Sequence, residues 1–168
     1  MRLLAIDPSL RCTGFAVLER LEGGKIRALE YGTIPNPAKL LPTSCLVAIH
    51  DRLAELIHRH EPDGAAVEAV IYVQSYRTAI TLGAARGAAL LAAAARGLQV
   101  FEYAPTDVKQ AVVGRGGAGK DQVAFMVRAL LGLTETPPPD AADALAIGLT
   151  HFRAHDAAAR GIKPLHRI

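Results

Sequence analysis

The sequence predicts an α/β fold: a mixed five-stranded sheet, three antiparallel strands and then strands alternating with helices, with helices on both faces. Three observations carry this. Short apolar runs crowd the first 34 residues and are divided by the turn Glu22-Gly23-Gly24-Lys25. Beyond them, stretches with apolar residues at helical spacing alternate with further short apolar runs. Prolines at 35, 37, 42, 62 and 137–139 fall between these stretches rather than inside them.

Taken in order, Leu3 to Ile6 is a buried strand that ends at Asp7. Thr13 to Leu18 and Ile26 to Ile34 flank the Gly-Gly turn and complete an antiparallel meander. From Thr43, apolar residues recur at Leu46, Ile49, Leu53, Leu56 and Ile57, which is helical spacing, and Glu61-Pro62 stops that helix. Ala65 to Val67 is a fourth strand leading into Glu68. Thr78 to Arg96 is a long helix rich in Ala and Leu, and Val100 to Tyr103 is the fifth strand. Pro105 opens a short helix to Val113, Gly114 to Gly119 is a loop, and Lys120 to Leu131 is a further helix. After three prolines, Asp140 stands at the N-cap or first turn of a last helix expected to end near His155. The organisation expected is one domain over residues 1–155 and a loose, polar, basic tail over 156–168.

The 168 residues suffice for a sizeable core, and a hydrophobic fraction of 51% excludes a disordered chain. The most apolar stretch, Gly87 to Ala95, is far short of the about 20 residues a membrane-spanning helix needs. No signal-peptide pattern opens the chain, and two cysteines, Cys12 and Cys45, make no disulfide framework. A cytoplasmic protein with no membrane contact is the expectation. The net charge is +3. If Asp7, Glu68, Asp140 and Asp143 are neutralised by metal, 12 of the 16 acidic residues remain against 19 basic ones, which favours a nucleic-acid partner.

Those four carboxylates carry the chemistry. Asp7 and Glu68 each end an apolar strand, and parallel neighbouring strands would bring them out side by side. Asp140 and Asp143 are spaced i, i+3, so on a helix their Cβ atoms are about 5–6 Å apart. A helix start tolerates such a pair as ordinary first-turn acids, and Asp7 before Pro8 can serve as a turn residue. Glu68 after an apolar run calls for a partner. Four acids at element ends fit hard divalent cations, and two ions about 4 Å apart can drive in-line phosphodiester cleavage.

In Ala5-Ile6-Asp7-Pro8-Ser9-Leu10-Arg11-Cys12-Thr13-Gly14 the chain resembles the first motif of the RuvC-type Holliday-junction resolvases, the crossover junction endodeoxyribonucleases. Val67-Glu68, Leu82-Gly83-Ala84-Ala85-Arg86-Gly87, Phe101-Glu102-Tyr103, Val108 to Gly114 and Asp140 to Ala146 resemble the later motifs, in order, over residues 2–152. The resemblance implies an RNase H-like fold. It implies that Asp7, Glu68, Asp140 and Asp143 hold two Mg²⁺ ions per subunit, with Mn²⁺ as a substitute. Asp7 would bridge both ions, Glu68 would serve one, and Asp140 and Asp143 the other. It further implies a homodimer that nicks four-way DNA junctions in pairs, leaving 5′-phosphate and 3′-hydroxyl ends, beside the RuvA–RuvB branch-migration complex. Lys109 and Lys120 go to the DNA side of the site, and with them Arg115, Tyr72, Tyr76 and Arg77 form the expected DNA-contacting set. The helix from Thr78 to Arg96 is the expected dimer seam.

Two positions depart from the family pattern. Ser9 stands where glycine is usual, which would strain a turn needing positive φ. Ile71 stands where an aromatic often stacks at the opened junction, leaving Tyr72 or Tyr76 to supply the stacking. Gly114 to Lys120 imitates the start of a phosphate-binding P-loop, but Asp121 occupies the Ser/Thr position and no strand leads into it. The alternatives weighed are a catalytically inactive junction-binding protein, an RNase H-type nuclease of RNA–DNA hybrids, and an actin-like phosphotransferase, which would need a second domain.

Overall fold

The computed structural model of the chain describes residues 1–71 and 75–168. Tyr72, expected to contact DNA, lies outside the described residues. The sheet is built from β1 (Arg2–Asp7), β2 (Cys12–Arg20), β3 (Ile26–Pro35), β4 (Gly64–Glu68) and β5 (Gln99–Tyr103), in the spatial order β3-β2-β1-β4-β5. β1 pairs antiparallel with β2 and parallel with β4, β2 pairs antiparallel with β3, and β4 pairs parallel with β5. The helices are α1 (Pro42–His60), α2 (Tyr76–Ala94), α3 (Pro105–Val113), α4 (Lys120–Leu131) and α5 (Pro139–Ala159). Element order and strand directions are those expected from the sequence.

Side chains alternate across a strand, so a run buried on both faces reads as continuously apolar. In β1, Leu3 and Ala5 face one core, with α3, α4 and α5, while Leu4 and Ile6 face the other, with α1 and α2. α1 ends where Glu61 turns left-handed at φ 46°, the one non-glycine at positive φ among the described residues, and Pro62 follows. Ser9 is therefore unstrained. Its backbone N–H and C=O both bond Thr13 Oγ1, at 3.2 and 2.7 Å, which closes the turn that glycine usually makes.

The C-terminal expectation needs correction. α5 runs to Ala159 rather than His155, because an alanine-rich stretch offers no stop before Gly161, which adopts φ 71°. The last residues are not a loose tail. Arg167 bridges Phe101, Glu102 N–H donates to the His166 carbonyl at 3.0 Å, and Ile168 N–H donates to the Val100 carbonyl at 3.0 Å. This segment satisfies edge groups of β5 that would otherwise stay unpaired.

Candidate active site

Parallel pairing aligns Ile6 with Val67, so Asp7 and Glu68, each one residue further on, emerge side by side at the carboxyl ends of β1 and β4. α5 closes the site from the opposite side. Asp7 pairs across the ladder with Gly14 of β2, and a Cβ at Gly14 would collide with the Asp140 carbonyl. That missing side chain lets the first turn of α5 reach the sheet beside Asp7. Gly148 repeats the device two turns along α5, where a Cβ would collide with Leu18.

Asp7, Asp140 and Asp143 each offer a carboxylate oxygen, and these three atoms lie within 4.8 Å of one another. Glu68 and Asp7 share a cleft of about 250 Å³ with Lys109, Lys120 and Asp143. Glu68 thus sits beside the close trio rather than within it. Burial raises the Asp7 carboxyl to about 7, helped by the charges of Asp143, Glu68 and Asp140 and opposed by Lys120. Burial also pushes Glu68 up, with Asp143 adding to it and Lys120 and Lys109 pulling the other way. Lys120 Nζ lies 3.0 Å from Asp143 Oδ2, and that bond holds the ammonium protonated more firmly than usual. So many acids around one cleft repel one another, and a small hard cation would relieve them. An all-oxygen trio on that scale fits such an ion.

The remaining expected residues are placed as follows. Lys109 lines the cleft from α3. Arg115 donates to Gln122 Oε1 at 2.9 Å, and the same oxygen accepts the Gly119 N–H at 3.1 Å, so the glycine loop is tied to the start of α4. That loop follows helix α3 rather than a strand, and Lys120 points to Asp143, which excludes the P-loop reading. Tyr76, 83% exposed, and Arg77 stand in the first turn of α2 and line neither cleft that holds Asp7 and Glu68. Ile71, also exposed, lines a second cleft of about 370 Å³ with Leu82 and Arg86, and Asp7 and Glu68 line it too.

The sequence assigns Cys12 no role beyond excluding a disulfide framework, yet its thiol lies beside Asp140, and burial and that carboxylate push it up. It also gave Gly14 no role, although an isolated glycine inside a strand pattern signals close backbone approach. His151 is fully buried, its Nδ1 2.8 Å from the Tyr103 hydroxyl.

The family model of crossover junction endodeoxyribonuclease RuvC matches residues 3–151. The chain belongs to the RuvC family. The RuvC of Akkermansia muciniphila is 57% identical over 156 residues, covering 93% of both chains. The RuvC of Syntrophomonas wolfei is 44% identical, covering 92% of this chain and 90% of that one. Among solved structures, T. thermophilus RuvC in complex with Holliday junction substrate superposes with a TM-score of 0.89 at 36% identity, covering 100% of this chain and 99% of that one. The yeast mitochondrial Holliday junction resolvase Ydc2, at 12% identity and a TM-score of 0.66, shares the fold, which is the RNase H-like fold expected.

Proposed function

We propose that this chain, a crossover junction endodeoxyribonuclease by family, resolves four-way DNA junctions by paired nicks at the cleft between β1, β4 and α5. The observation that carries the reading is the convergence of Asp7, Asp140 and Asp143, 136 residues apart at the extremes, onto one small volume beside Glu68. Two Mg²⁺ ions, or Mn²⁺ in their place, would be held there by Asp7, Glu68, Asp140 and Asp143, and would activate water and stabilise the leaving 3′ oxygen.

The chain's own groups do the rest. Asp7 stands centrally, sharing the cleft with Glu68 and Asp143 and offering an oxygen within 4.8 Å of those of Asp140 and Asp143. Lys120 counters the carboxylate charge and, with Lys109, offers a compact cation to the phosphate next to the cut. Arg115 extends that positive rim along the glycine loop. Tyr76 and Arg77 are exposed at the start of α2 to contact more distant DNA, and Tyr76 can stack where Ile71 cannot. The products are ends with a 5′-phosphate and a 3′-hydroxyl.

Symmetric nicking calls for two copies. α2 leaves Ile80, Gly83, Ala84, Gly87 and Leu91 exposed along one face, a stripe whose small residues allow another helix close, and we assign it to the homodimer seam. The RuvA–RuvB branch-migration complex is the partner the family implies. No helix among the described residues is long and apolar enough to cross a membrane.

The test offers synthetic four-way junctions, linear duplexes and RNA–DNA hybrids to the protein with Mg²⁺. The expected result is paired junction nicks, with Asp7→Asn binding junctions but not cutting them. Cleavage of hybrids without cleavage of junctions would identify an RNase H-type enzyme. Junction binding with no cleavage by the unaltered chain would identify an inactive scaffold.

A further inference from the structure

Arg86 is a charged residue in the middle of an alanine-rich helix, and its side chain is only 13% exposed. An arginine buried to that degree needs partners for its guanidinium. It has two. Nη1 donates to the backbone carbonyl of Glu68 at 2.9 Å, and Nη2 pairs with the Glu102 carboxylate on β5. Glu102 is itself held: its N–H donates to the His166 carbonyl, and His166 Nδ1 lies 3.7 Å from its second carboxylate oxygen.

The position of these bonds gives them meaning. Glu68 is the last residue of β4 and the last in register with β5, opposite Tyr103. One further bond, Ala69 N–H to the Tyr103 carbonyl at 2.8 Å, closes the ladder there. Beyond it the chain leaves the sheet, so the direction of the Glu68 side chain depends on how its own peptide is fixed. Arg86 fixes that peptide from α2, across the cleft that Asp7 and Glu68 share with it. With both ends of its fork engaged, the guanidinium is committed to protein rather than to DNA phosphate.

We propose that Arg86, anchored by Glu102, is a positioning residue that aims the Glu68 carboxylate at Asp7 and Asp143. This rests on the reading of Glu68 as a cation ligand. It makes α2 a support of the Glu68 side of the site.

The test compares the full chain with Arg86→Met, Arg86→Lys, Glu102→Gln and Glu68→Gln. Mn²⁺ binding without DNA is followed by the loss of the free-ion signal in electron paramagnetic resonance. Cleavage of a four-way junction is titrated with Mg²⁺, and melting temperature and junction binding in EDTA are measured alongside. Arg86→Met is expected to weaken Mn²⁺ binding, and to raise the Mg²⁺ needed for half-maximal cleavage, by about 10-fold, within the usual range for a lost outer-shell partner. Junction binding should stay within about 3-fold of the unaltered chain on this reading, which assigns Arg86 no phosphate contact. Glu102→Gln should shift both in the same direction by less. Arg86→Lys should recover part of the loss, because an ammonium can reach one acceptor but not both.

Unchanged Mn²⁺ binding in Arg86→Met, with or without a lower melting temperature, would overturn the proposal. So would weakened junction binding at unchanged Mn²⁺ affinity, which would make Arg86 a DNA contact. If Arg86→Met does not fold, Arg86→Lys and Glu102→Gln decide by the same Mn²⁺ measurement. Glu68→Gln separates the two levels: normal metal binding and cleavage there would remove the site reading itself, whereas a defect there beside a normal Arg86→Met would remove only the positioning role.

Discussion

α5 and α2 are both long and rich in alanine, yet they are used in opposite ways. α5 is buried without interruption from Ala144 to Phe152 and lies against the sheet wherever Gly14 and Gly148 make room. α2 buries only an alanine stripe, Ala85, Ala89, Ala92 and Ala93, and leaves its glycines facing open space. Similar composition thus gives a helix that is a core element and one that is half surface. The difference lies in what each meets: α5 delivers two carboxylates to a fixed place, whereas α2 leaves one face exposed, the face assigned above to the proposed seam. Glycine in the first context is a close-packing device, and in the second it is a helix-weakening residue with room for a side chain.

The largest expected effect is at the start of α5. Asp143→Asn should slow junction nicking on the order of 10²–10³-fold or more, since it removes charge where the reaction needs it. A gel assay at saturating junction measures this, and near-normal cutting would separate α5 from the chemistry. Next, Gly14→Ala should cost about 2–4 kcal/mol of stability, because the group it meets is backbone and cannot rotate away. It should also depress cleavage by displacing Asp140. Urea unfolding and the same gel assay check both.

Protonation sharpens the comparison along α5 itself. Beside its first turn, Asp7 is raised from an ordinary 3.8 to about 7. The folded state therefore holds a proton that the unfolded state has lost, and metal-free stability falls as pH rises through that window. In the second half of α5, burial lowers His151 from 6.5 to about 4, with His155 and Arg20 contributing. There the unfolded state binds the proton first, so stability rises with pH between about 4 and 6.5. The two slopes oppose. In metal-free protein, Asp7→Asn should leave a stability that climbs with pH over this range, and His151→Gln one that declines, each by on the order of 2 kcal/mol. Melting temperatures in EDTA from pH 4 to 7.5 read this out, and parallel curves for the two variants would refute it.

Smaller effects are expected on α2. Leu91→Glu, at a position 60% exposed, should leave the folded subunit intact and shift the protein from dimer to monomer, as measured by light scattering. A dimer that survives would move the seam elsewhere. The smallest effect is a gain: Gly83→Ala should stabilise the isolated subunit by up to about 1 kcal/mol in urea unfolding, since within one subunit the added methyl meets nothing and helix propensity improves. A loss as large as that of Gly14→Ala would erase the distinction between the helices.

Much of this was legible in the residues. The strands and helices follow from periodicity and proline punctuation, and α4 runs from Lys120 to Leu131 as expected. Asp7 and Glu68 were foreseeable as neighbours, because strand direction alone aligns them. What local pattern could not show was produced by packing. The end of α5 carried no stop signal, and the pairing of residues 166–168 with β5 depends on a sheet edge that exists only after folding. α2 begins at Tyr76, two residues ahead of expectation, because the Ser75 hydroxyl caps the Thr78 N–H. The closeness of Asp140 to the sheet depends on a side chain that is absent, and the two acceptors of Arg86, 34 residues apart in sequence, are brought to it only by folding.

Because Asp7 lies in β1 and Asp143 in α5, the carboxylate trio exists only when elements far apart in sequence are packed together. An opening that lifted α5 off the sheet would carry Asp140 and Asp143 away from Asp7 and leave neither side with the full set of acids. The carboxylate cluster is thus a readout of the packing of α5 on the sheet, not of either element alone.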